Sequence, residues 1–142
     1  MNQTEKIDKA AILHIPLSQY AFATSEYSIT IRLRAKKSDL TRCVLYTADR
    51  VCRETPVCFS GTDMRVSATD ECFDYYQADL TLPYNRVCYY FKLEKGEEWT
   101  YYYADRFTKK LPDRTADGVL IDGRSEYYQY PFILRDEIPD VP

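Results

Sequence analysis

Nine consecutive residues, 27–35, alternate strictly between two kinds of side chain. The apolar residues are Tyr27, Ile29, Ile31, Leu33 and Ala35, and the polar residues are Ser28, Thr30, Arg32 and Arg34. Successive side chains of a β-strand point to opposite faces, so a period of two residues places all the apolar groups on one face. Because several of these residues are β-branched, the segment predicts a half-buried strand.

The same reasoning predicts further short strands joined by turns. They cover residues 11–15, 42–47, 57–59, 64–69, 73–80, 86–94, 99–104 and 127–133. The polar residues 36–39 predict a hairpin turn that pairs the strands on either side, and residues 95–98 predict a second hairpin turn. Residues 105–124 carry Pro112, Gly118 and Gly123 and predict a loop. The pattern predicts an all-β fold, an Ig-like antiparallel β-sandwich of seven to eight strands.

The predicted sandwich occupies residues 10–133. We expect residues 1–9 to form a flexible N-terminus, and the acidic, proline-bearing residues 134–142 to form a linker leading out of the domain. A chain of 142 residues can bury a core without disulfides or metals. Its 45% hydrophobic and 29% charged content is ordinary for a globular domain.

The 14 tyrosines cluster in short runs, including residues 75–76, 89–90 and 101–103. Adjacent rings in a strand point to opposite faces, so we expect roughly half of them to reach the outer faces of the sandwich. A phenol ring, with an apolar body and a polar tip, suits such a position. The candidate exposed aromatic contacts are Tyr90, Trp99 and Tyr102. Stacking on a sugar and packing against a protein surface both remain open uses for them.

The sequence offers little for catalysis. His14 is the sole imidazole, and we expect it to be a structural residue on an edge strand, hydrogen-bonded locally. Four scattered glycines form no phosphate-binding loop, and the G-x-S-x-G motif of serine hydrolases is absent. We therefore expect this chain not to be an enzyme and to need no cofactor.

The cysteines, at positions 43, 52, 58, 72 and 88, are odd in number and include no C-x-x-C pair. We interpret them as reduced thiols, mostly filling small apolar sites, with Cys52 and Cys58 in a loop. We expect no metal site. Asp113, Asp117 and Asp122 share one loop, but their spacing does not match an EF-hand, and whether they bind an ion stays open.

Charge and hydropathy exclude two classes of partner. The chain has 19 basic and 22 acidic residues, and its one basic run, residues 32–37, is typical of a solvated strand face and turn, so we expect no nucleic acid partner. No stretch approaches the roughly 18 apolar residues that span a bilayer. Residues 1–6 lack the apolar core of a signal peptide. We expect a cytoplasmic protein without a membrane partner.

Several stretches together carry a family resemblance. They are AILH at 11–14, IRLRAKKSD at 31–39, RCVLYTADR at 42–50, DECFDYY at 70–76 and YQYPFI at 128–133. In this order they closely resemble the N-terminal domain (CBM34) of the neopullulanase, cyclomaltodextrinase and maltogenic amylase group of the α-amylase family. The resemblance implies an Ig-like sandwich preceding a catalytic (β/α)₈ barrel, which this chain lacks.

The function implied by the resemblance is that of a non-catalytic accessory domain of an α-glucan-acting glycoside hydrolase. It would mediate dimerisation and shape the partner's active site. The implied partners are the catalytic barrel of the same parent chain and the second subunit of a homodimer, with α-glucans or cyclodextrins as candidate ligands. The alternatives are a stand-alone module that binds starch or maltooligosaccharides and an Ig-like protein-interaction domain without sugar binding.

The resemblance also implies contact residues. The corner formed by residues 48–50 matches the family segment that approaches the partner's cleft, so the candidate contacts are Tyr46, Asp49, Arg50 and Val51. Relatives often carry an aromatic residue where Val51 stands, which weakens the case for direct sugar stacking there. The family's Phe-Asp-Tyr strand start falls on residues 73–75, and we expect it to be structural: a buried ring, a turn-capping Asp and a cross-strand Tyr.

Overall fold

Ten strands and one short helix make up the regular structure of the described residues. We describe residues 6–16, 18–49 and 59–110, with the backbone of 128–130, from a computed structural model. A 3₁₀-helix spans Lys9–Ala11. The strands are β1 (Ala21–Ser25), β2 (Ser28–Lys36), β3 (Arg42–Asp49), β4 (Ser60–Asp63), β5 (Arg65–Thr69), β6 (Phe73–Thr81), β7 (Val87–Lys95), β8 (Glu98–Tyr103), β9 (Arg106–Thr108) and β10 (Tyr128–Tyr130).

These strands form two antiparallel sheets. The smaller sheet has the order β1-β2-β6-β5, and the larger sheet has the order β4-β3-β7-β8-β9 with β10 beside β7. The all-β, Ig-like sandwich is confirmed. The number of strands is higher than predicted because β1, β4 and β9 were missed. β1 and β4 are rich in Ala, Ser and Gly, which signal strands weakly, and β9 lies inside the predicted loop 105–124.

The alternation of side-chain direction along β2 is confirmed, with two exceptions in burial, of which one is the buried Thr30 on the outer face. The side chains of Ile29, Ile31, Leu33 and Ala35 are buried between the sheets, and Arg32 and Arg34 lie on the outer face. Tyr27, predicted to be the first apolar residue of this strand, is 44% exposed because the strand begins only at Ser28.

The predicted hairpin between β2 and β3 is wrong. β2 pairs with β1 and β6, whereas β3 pairs with β4 and β7, so the connection crosses from one sheet to the other as an arch. Ser38 takes a left-handed conformation at φ 61°, and Leu40 turns into the end of the core. The hydroxyl of Tyr76 donates a hydrogen bond to the carbonyl of Leu40 at 3.3 Å, which closes this end of the sandwich.

The predicted turn at residues 95–98 does form a hairpin, and a second hairpin turn joins β5 to β6. Lys95 pairs with Glu98 around Gly96, whose φ of 60° favours glycine. In the β5–β6 turn, Asp70 Oδ1 accepts hydrogen bonds from the backbone N–H groups of Cys72 at 2.8 Å and Phe73 at 2.7 Å. These two bonds lower the pKa of Asp70 below its usual value, because they stabilise the carboxylate.

The expected roles of residues 73–75 are met in part. Asp74 Oδ2 accepts a hydrogen bond from the backbone N–H of Ser38 at 2.9 Å, so it does cap a turn, the arch. Tyr75 lies opposite Arg34 across β2 and β6, as a cross-strand residue should. The ring of Phe73 is half-buried on the outer face, where the Arg34 guanidinium stacks on it at 4.0 Å.

The N-terminal segment is less regular than predicted. The strand expected at residues 11–15 is a single bridge between Leu13 and Arg34, preceded by the 3₁₀-helix. Ile7, within the segment expected to be flexible, is buried in the core. His14 is 2% exposed and binds distant residues, Arg32 and Tyr89, so the expectation of a locally bonded edge residue is wrong.

Cys43 and Cys88 are buried and fill the apolar interior, as predicted, whereas Cys72 is exposed. Burial raises the pKa of the Cys43 thiol, so it stays protonated. Cys52 and Cys58 lie outside the described residues. In the described part of the chain, no helix is long and apolar enough to cross a membrane.

Candidate functional site: the outer face of the larger sheet

Five aromatic side chains form a continuous patch on the larger sheet, on the side away from the core. We call this patch the outer aromatic face; it consists of Tyr46, Phe59, Tyr90, Trp99 and Tyr101. Strand register brings it together. Tyr46 on β3 lies opposite Tyr90 on β7, and Tyr101 on β8 lies opposite Lys92, one step further along the same face of β7.

The rings contact one another in an unbroken chain. Tyr46 and Tyr90 stack with ring centroids 5.0 Å apart and planes 13° apart. Phe59 meets Tyr90 edge-on at 4.9 Å, and Tyr101 meets it edge-on at 5.6 Å. Trp99 extends the chain by contacting Tyr101 at 5.2 Å. Offset-stacked and edge-on pairs at these separations are favourable, so the rings hold one another in fixed orientations.

Gly61 makes room for the Tyr46 ring. It lies opposite Tyr46 across β3 and β4, and a Cβ atom at this position would come within 2.9 Å of Tyr46 Cε1. Without a side chain on β4, the ring can lie over the backbone of the edge strand. The glycine therefore supports the stack of Tyr46 on Tyr90.

Cations border the Trp99 end of the patch. Lys92 Nζ lies 5.0 Å from the centre of the Trp99 ring, and Lys109 Nζ lies 4.3 Å from it. The Lys109 ammonium also donates a hydrogen bond to the Trp99 carbonyl. Each ammonium is attracted to the electron-rich face of the indole, so these contacts help to fix the ring.

Exposed ion pairs lie next to this end. Arg42 Nε lies 2.7 Å from Asp63 Oδ1, and the guanidinium reaches Glu94 at 3.7 Å. The hydrogen bond to Asp63, followed by its charge, raises the pKa of Arg42. The outer face of the larger sheet thus passes from an aromatic region to a charged border, the arrangement found in protein interfaces.

The structure brings together three of the predicted contact residues: Tyr46, Tyr90 and Trp99. Tyr90 is nevertheless only 5% exposed, so the prediction of an exposed ring is wrong there. It lies on the central strand β7, and neighbouring rings cover it. The rings of Tyr46 and Trp99 are half-buried.

The prediction of an exposed ring is also wrong for Tyr102, which is 4% exposed. Tyr102 lies opposite Phe91 and therefore points into the core, where its ring packs against Phe107 with centroids 4.7 Å apart. The adjacent Tyr101 takes the outward position instead.

Asp49 ends β3, and its Oδ1 lies 3.4 Å from Arg86 Nε, so the corner after β3 carries an ion pair. Arg50 and Val51, the other two predicted contacts at this corner, lie outside the described residues. So do Asp113, Asp117 and Asp122. Within residues 6–16, 18–49 and 59–110, no group of three or more His, Cys, Asp or Glu residues is arranged to hold a metal ion.

Three members or supports of this patch, Phe59, Gly61 and Tyr101, were not predicted from the sequence. Tyr101 could have been found, because a two-residue turn at Gly96 pairs Lys95 with Glu98 and hence Lys92 with Tyr101. No comparable local signal exists for Phe59 and Gly61, whose positions depend on the pairing of β4 with β3.

The fold and this patch together define a class of protein: an Ig-like β-sandwich with contacting aromatic side chains on the outer face of one sheet. The comparisons with known proteins give the family. Residues 7–134 match the family model described as "Alpha amylase, N-terminal ig-like domain", and the chain belongs to this family.

Relatives with curated names include a cyclomaltodextrinase from Bacillus sp, 32% identical over 87% of this chain and 20% of its own length. Neopullulanase 2 from Thermoactinomyces vulgaris is 33% identical over 93% of this chain and 21% of its own length. Among solved structures, a cyclomaltodextrinase superposes with a TM-score of 0.72 and 29% identity, covering 87% of this chain and 19% of that chain. The chain thus spans about a fifth of the length of the relatives it matches.

Proposed function

We propose that this chain is a non-catalytic accessory domain of an α-glucan-acting glycoside hydrolase. Its outer aromatic face packs against a protein surface in a homodimer and thereby shapes the partner's active site. The names of the relatives, cyclomaltodextrinase and neopullulanase, support a parent enzyme that acts on cyclodextrins or pullulan. The continuous chain of contacting rings, half-buried except for the buried Tyr90, is the observation that carries the docking role.

Two properties of this face favour a protein surface over a loosely held sugar chain. First, Tyr and Trp are among the residues that contribute most binding energy in protein interfaces. Second, the rings already immobilise one another, from the Tyr46–Tyr90 stack at 5.0 Å to the Trp99–Tyr101 contact at 5.2 Å. A docking partner therefore meets a surface that loses little side-chain entropy on binding.

The proposed effect on the active site is steric. Rigid strands hold the face at a constant position, so a domain docked beside a partner's cleft narrows that cleft. Small cyclic or short substrates still enter, whereas a bulky polymer is excluded. The domain thus acts through position and contributes no chemical group to the reaction.

The test compares two variants of the full-length enzyme with the parent. One variant lacks residues 1–142, and the other carries Tyr101→Arg, which places a charge on the outer aromatic face. We expect both to weaken the dimer about tenfold or more, because a buried unpaired charge opposes association. We also expect both to lower the ratio of kcat/KM on cyclodextrin to kcat/KM on starch.

Sedimentation velocity measures the dimer, and initial rates on the two substrates give the ratio. Tyr27→Arg is the matched control, because it adds the same charge at an exposed tyrosine outside the outer aromatic face. It should leave both quantities unchanged. A dimer and a substrate ratio that persist in both test variants would show that the domain has no such role.

A further inference from the structure

The smaller sheet carries a groove on its own outer face, away from the outer aromatic face. Its volume is about 350 Å³, within the ~300–1,000 Å³ of small-molecule sites. We call it the small-sheet groove; the lining residues that matter below are Gln19, Tyr20, Arg32, Tyr75 and Gln77. Arg32 is the one cation among the residues that line it.

The guanidinium of Arg32 is held on three sides by the protein. Its Nε donates to Oε1 of Gln77, which lies directly opposite on β6, at 2.9 Å. Its Nη1 donates to the Gln19 carbonyl at 3.0 Å. Its flat face lies over the ring of Phe22, 5.2 Å from the ring centroid. Arg32 therefore keeps one orientation without a ligand.

The charge of Arg32 has no partner in the part of the chain that the structure describes. Arg42, Arg65 and Arg86 each lie within 3.4 Å of a carboxylate oxygen. Arg32, by contrast, forms no ion pair among the described residues, and three of its five N–H donors make no hydrogen bond there. These donors are the second N–H of Nη1 and both N–H groups of Nη2, which together form the end of the guanidinium fork.

Two half-buried tyrosines line the groove beside this fork. The Tyr75 hydroxyl donates to Asp70 Oδ2 at 3.0 Å, which orients its ring. Tyr20 belongs to the turn before β1, and its carbonyl accepts a hydrogen bond from the backbone N–H of Arg32 at 2.7 Å. Phenol rings pack well against other flat rings, so the groove offers apolar contact next to an unpaired cation.

The carboxylates nearest the groove limit the charge that a ligand can carry. Asp79 accepts hydrogen bonds from the Gln77 amide at 3.1 Å, and Asp70 accepts one from Tyr75. Two negative groups beside one guanidinium oppose a dianion such as a phosphate monoester. A single carboxylate matches the fork, because its two oxygens accept two parallel N–H···O bonds from one guanidinium.

We propose that the small-sheet groove binds a small aromatic monocarboxylate. The free terminal N–H groups of Arg32 bind the two carboxylate oxygens, and Tyr20 and Tyr75 contact the flat body of the ligand. The site does not depend on the docking role proposed above, because it lies on the other sheet. A domain docked through its outer aromatic face leaves this groove accessible.

The test titrates the 142-residue chain with benzoate, benzamide, acetate and phenyl phosphate at constant ionic strength. NMR follows the Arg32 Nε–H and the Gln77 side-chain amide in the groove, and the indole N–H of Trp99, the sole tryptophan, reports on the larger sheet. We expect benzoate to shift the groove signals with a Kd of about 1 mM and to leave Trp99 unchanged.

The other three probes each remove one property of the ligand. Benzamide lacks the charge, acetate lacks the flat body, and phenyl phosphate carries a second negative charge at pH 8. Each should bind about tenfold more weakly than benzoate. The acetate arm also separates two sources of a carboxylate. If acetate binds as tightly as benzoate, the groove recognises the carboxylate alone, as it would on an acidic side chain of another protein, and the proposal is overturned.

Variants locate the site. Arg32→Lys keeps the charge but removes the fork, and Tyr75→Ala removes one wall; each should weaken benzoate about tenfold. Arg34→Lys is the matched control, because Arg34 lies on the same face of β2, stacked on Phe73, but does not line the groove. It should leave the Kd unchanged. Circular dichroism checks that each variant is folded, and either test substitution suffices if the other unfolds the domain.

Three further results overturn the proposal. Benzoate causes no saturable shift of the groove signals at tens of millimolar. Benzamide or phenyl phosphate binds as tightly as benzoate. The control Arg34→Lys weakens benzoate as much as Arg32→Lys does. None of these results affects the dimer test, since that test concerns the larger sheet.

Discussion

His14 joins the two sheets through both ring nitrogens. Its Nδ1 lies 2.7 Å from the Arg32 carbonyl, which can only accept, so Nδ1 carries the proton. The Tyr89 hydroxyl then donates to Nε2 at 2.7 Å. Burial lowers the pKa of His14 to about 4, with the Arg32 carbonyl and the charge of Asp105 acting in the opposite direction. The neutral ring is thus a structural clamp.

Because His14 is neutral in the folded protein, we expect acid to lower the stability of the fold. The unfolded imidazole binds a proton near pH 6.5 and the folded one only near 4, so the unfolded state holds more protons between these values. Stability is fully present above about 6.5 and falls as the pH drops towards 4. We expect a loss on the order of 2 kcal/mol from this residue between about pH 7.5 and about pH 4.5.

Urea unfolding at both pH values, in the parent and in His14→Gln, isolates the contribution, because all carboxylates are common to the two proteins. The parent should lose more stability on acidification than the variant does. As the chain has a single histidine, its NMR resonance also titrates without ambiguity. An imidazole that titrates near 6.5 in the folded protein would contradict the clamp.

At the scale of elements, the arch between β2 and β3 is tied down by Asp39. Its carboxylate contacts Lys95 Nζ at 2.7 Å and accepts a hydrogen bond from the Asp8 N–H at 2.9 Å. The arch, the end of β7 and the N-terminal segment therefore meet at one side chain. The Asp39 side chain is only 5% exposed and that of Lys95 is 23% exposed, so water screens this ion pair weakly.

We expect Asp39→Ala to lower the free energy of unfolding by about 2 kcal/mol, because it removes the acceptor of the Asp8 N–H and the carboxylate that pairs with Lys95. Asp63→Ala is the matched control. It removes the pair with Arg42, whose side chains are 55% and 66% exposed, and should cost less than about 1 kcal/mol. Equal losses in the two variants, measured by urea unfolding, would contradict a special role for the arch.

This arch could not be predicted from the sequence. Alternation fixed which residues of β2 face the core, because that property is local. It could not decide whether residues 36–39 join strands of one sheet or of two, since both outcomes bury the same apolar face. The pairing of β2 with β6 spans some 45 residues of chain, and no local pattern encodes it.

The predictions of contact residues were likewise correct where they depended on local alternation and wrong where they depended on strand pairing. Tyr46, Tyr90 and Trp99 were predicted as contact residues and do share one face. Tyr102 was placed wrongly because parity was not carried through the β7–β8 hairpin. The pairing of Arg32 with Gln77 on the outer face of the smaller sheet was not predicted, because it depends on the pairing of β2 with β6. Aromatic runs alone also overstate exposure, since Tyr89, Tyr90 and Phe91 are all buried on the central strand.

At the scale of the whole molecule, the sandwich has two outer faces of different character. The outer aromatic face lies on the larger sheet, whereas the outer face of the smaller sheet carries Arg32, Arg34 and Gln77. The buried residues form one cluster, which includes Tyr90 of the outer aromatic face. The docking role proposed above therefore assigns the interface to the larger sheet alone.

This assignment predicts that a charge disrupts the dimer on one sheet and not on the other. Tyr101→Arg should weaken the dimer, whereas Tyr75→Arg, on the outer face of the smaller sheet, should leave it unchanged. Sedimentation velocity on the two full-length variants measures both effects. If Tyr75→Arg also dissociates the dimer, the smaller sheet is part of the interface. Only an effect confined to the larger sheet fits an interface formed by the outer aromatic face, because the two substitutions introduce the same charge.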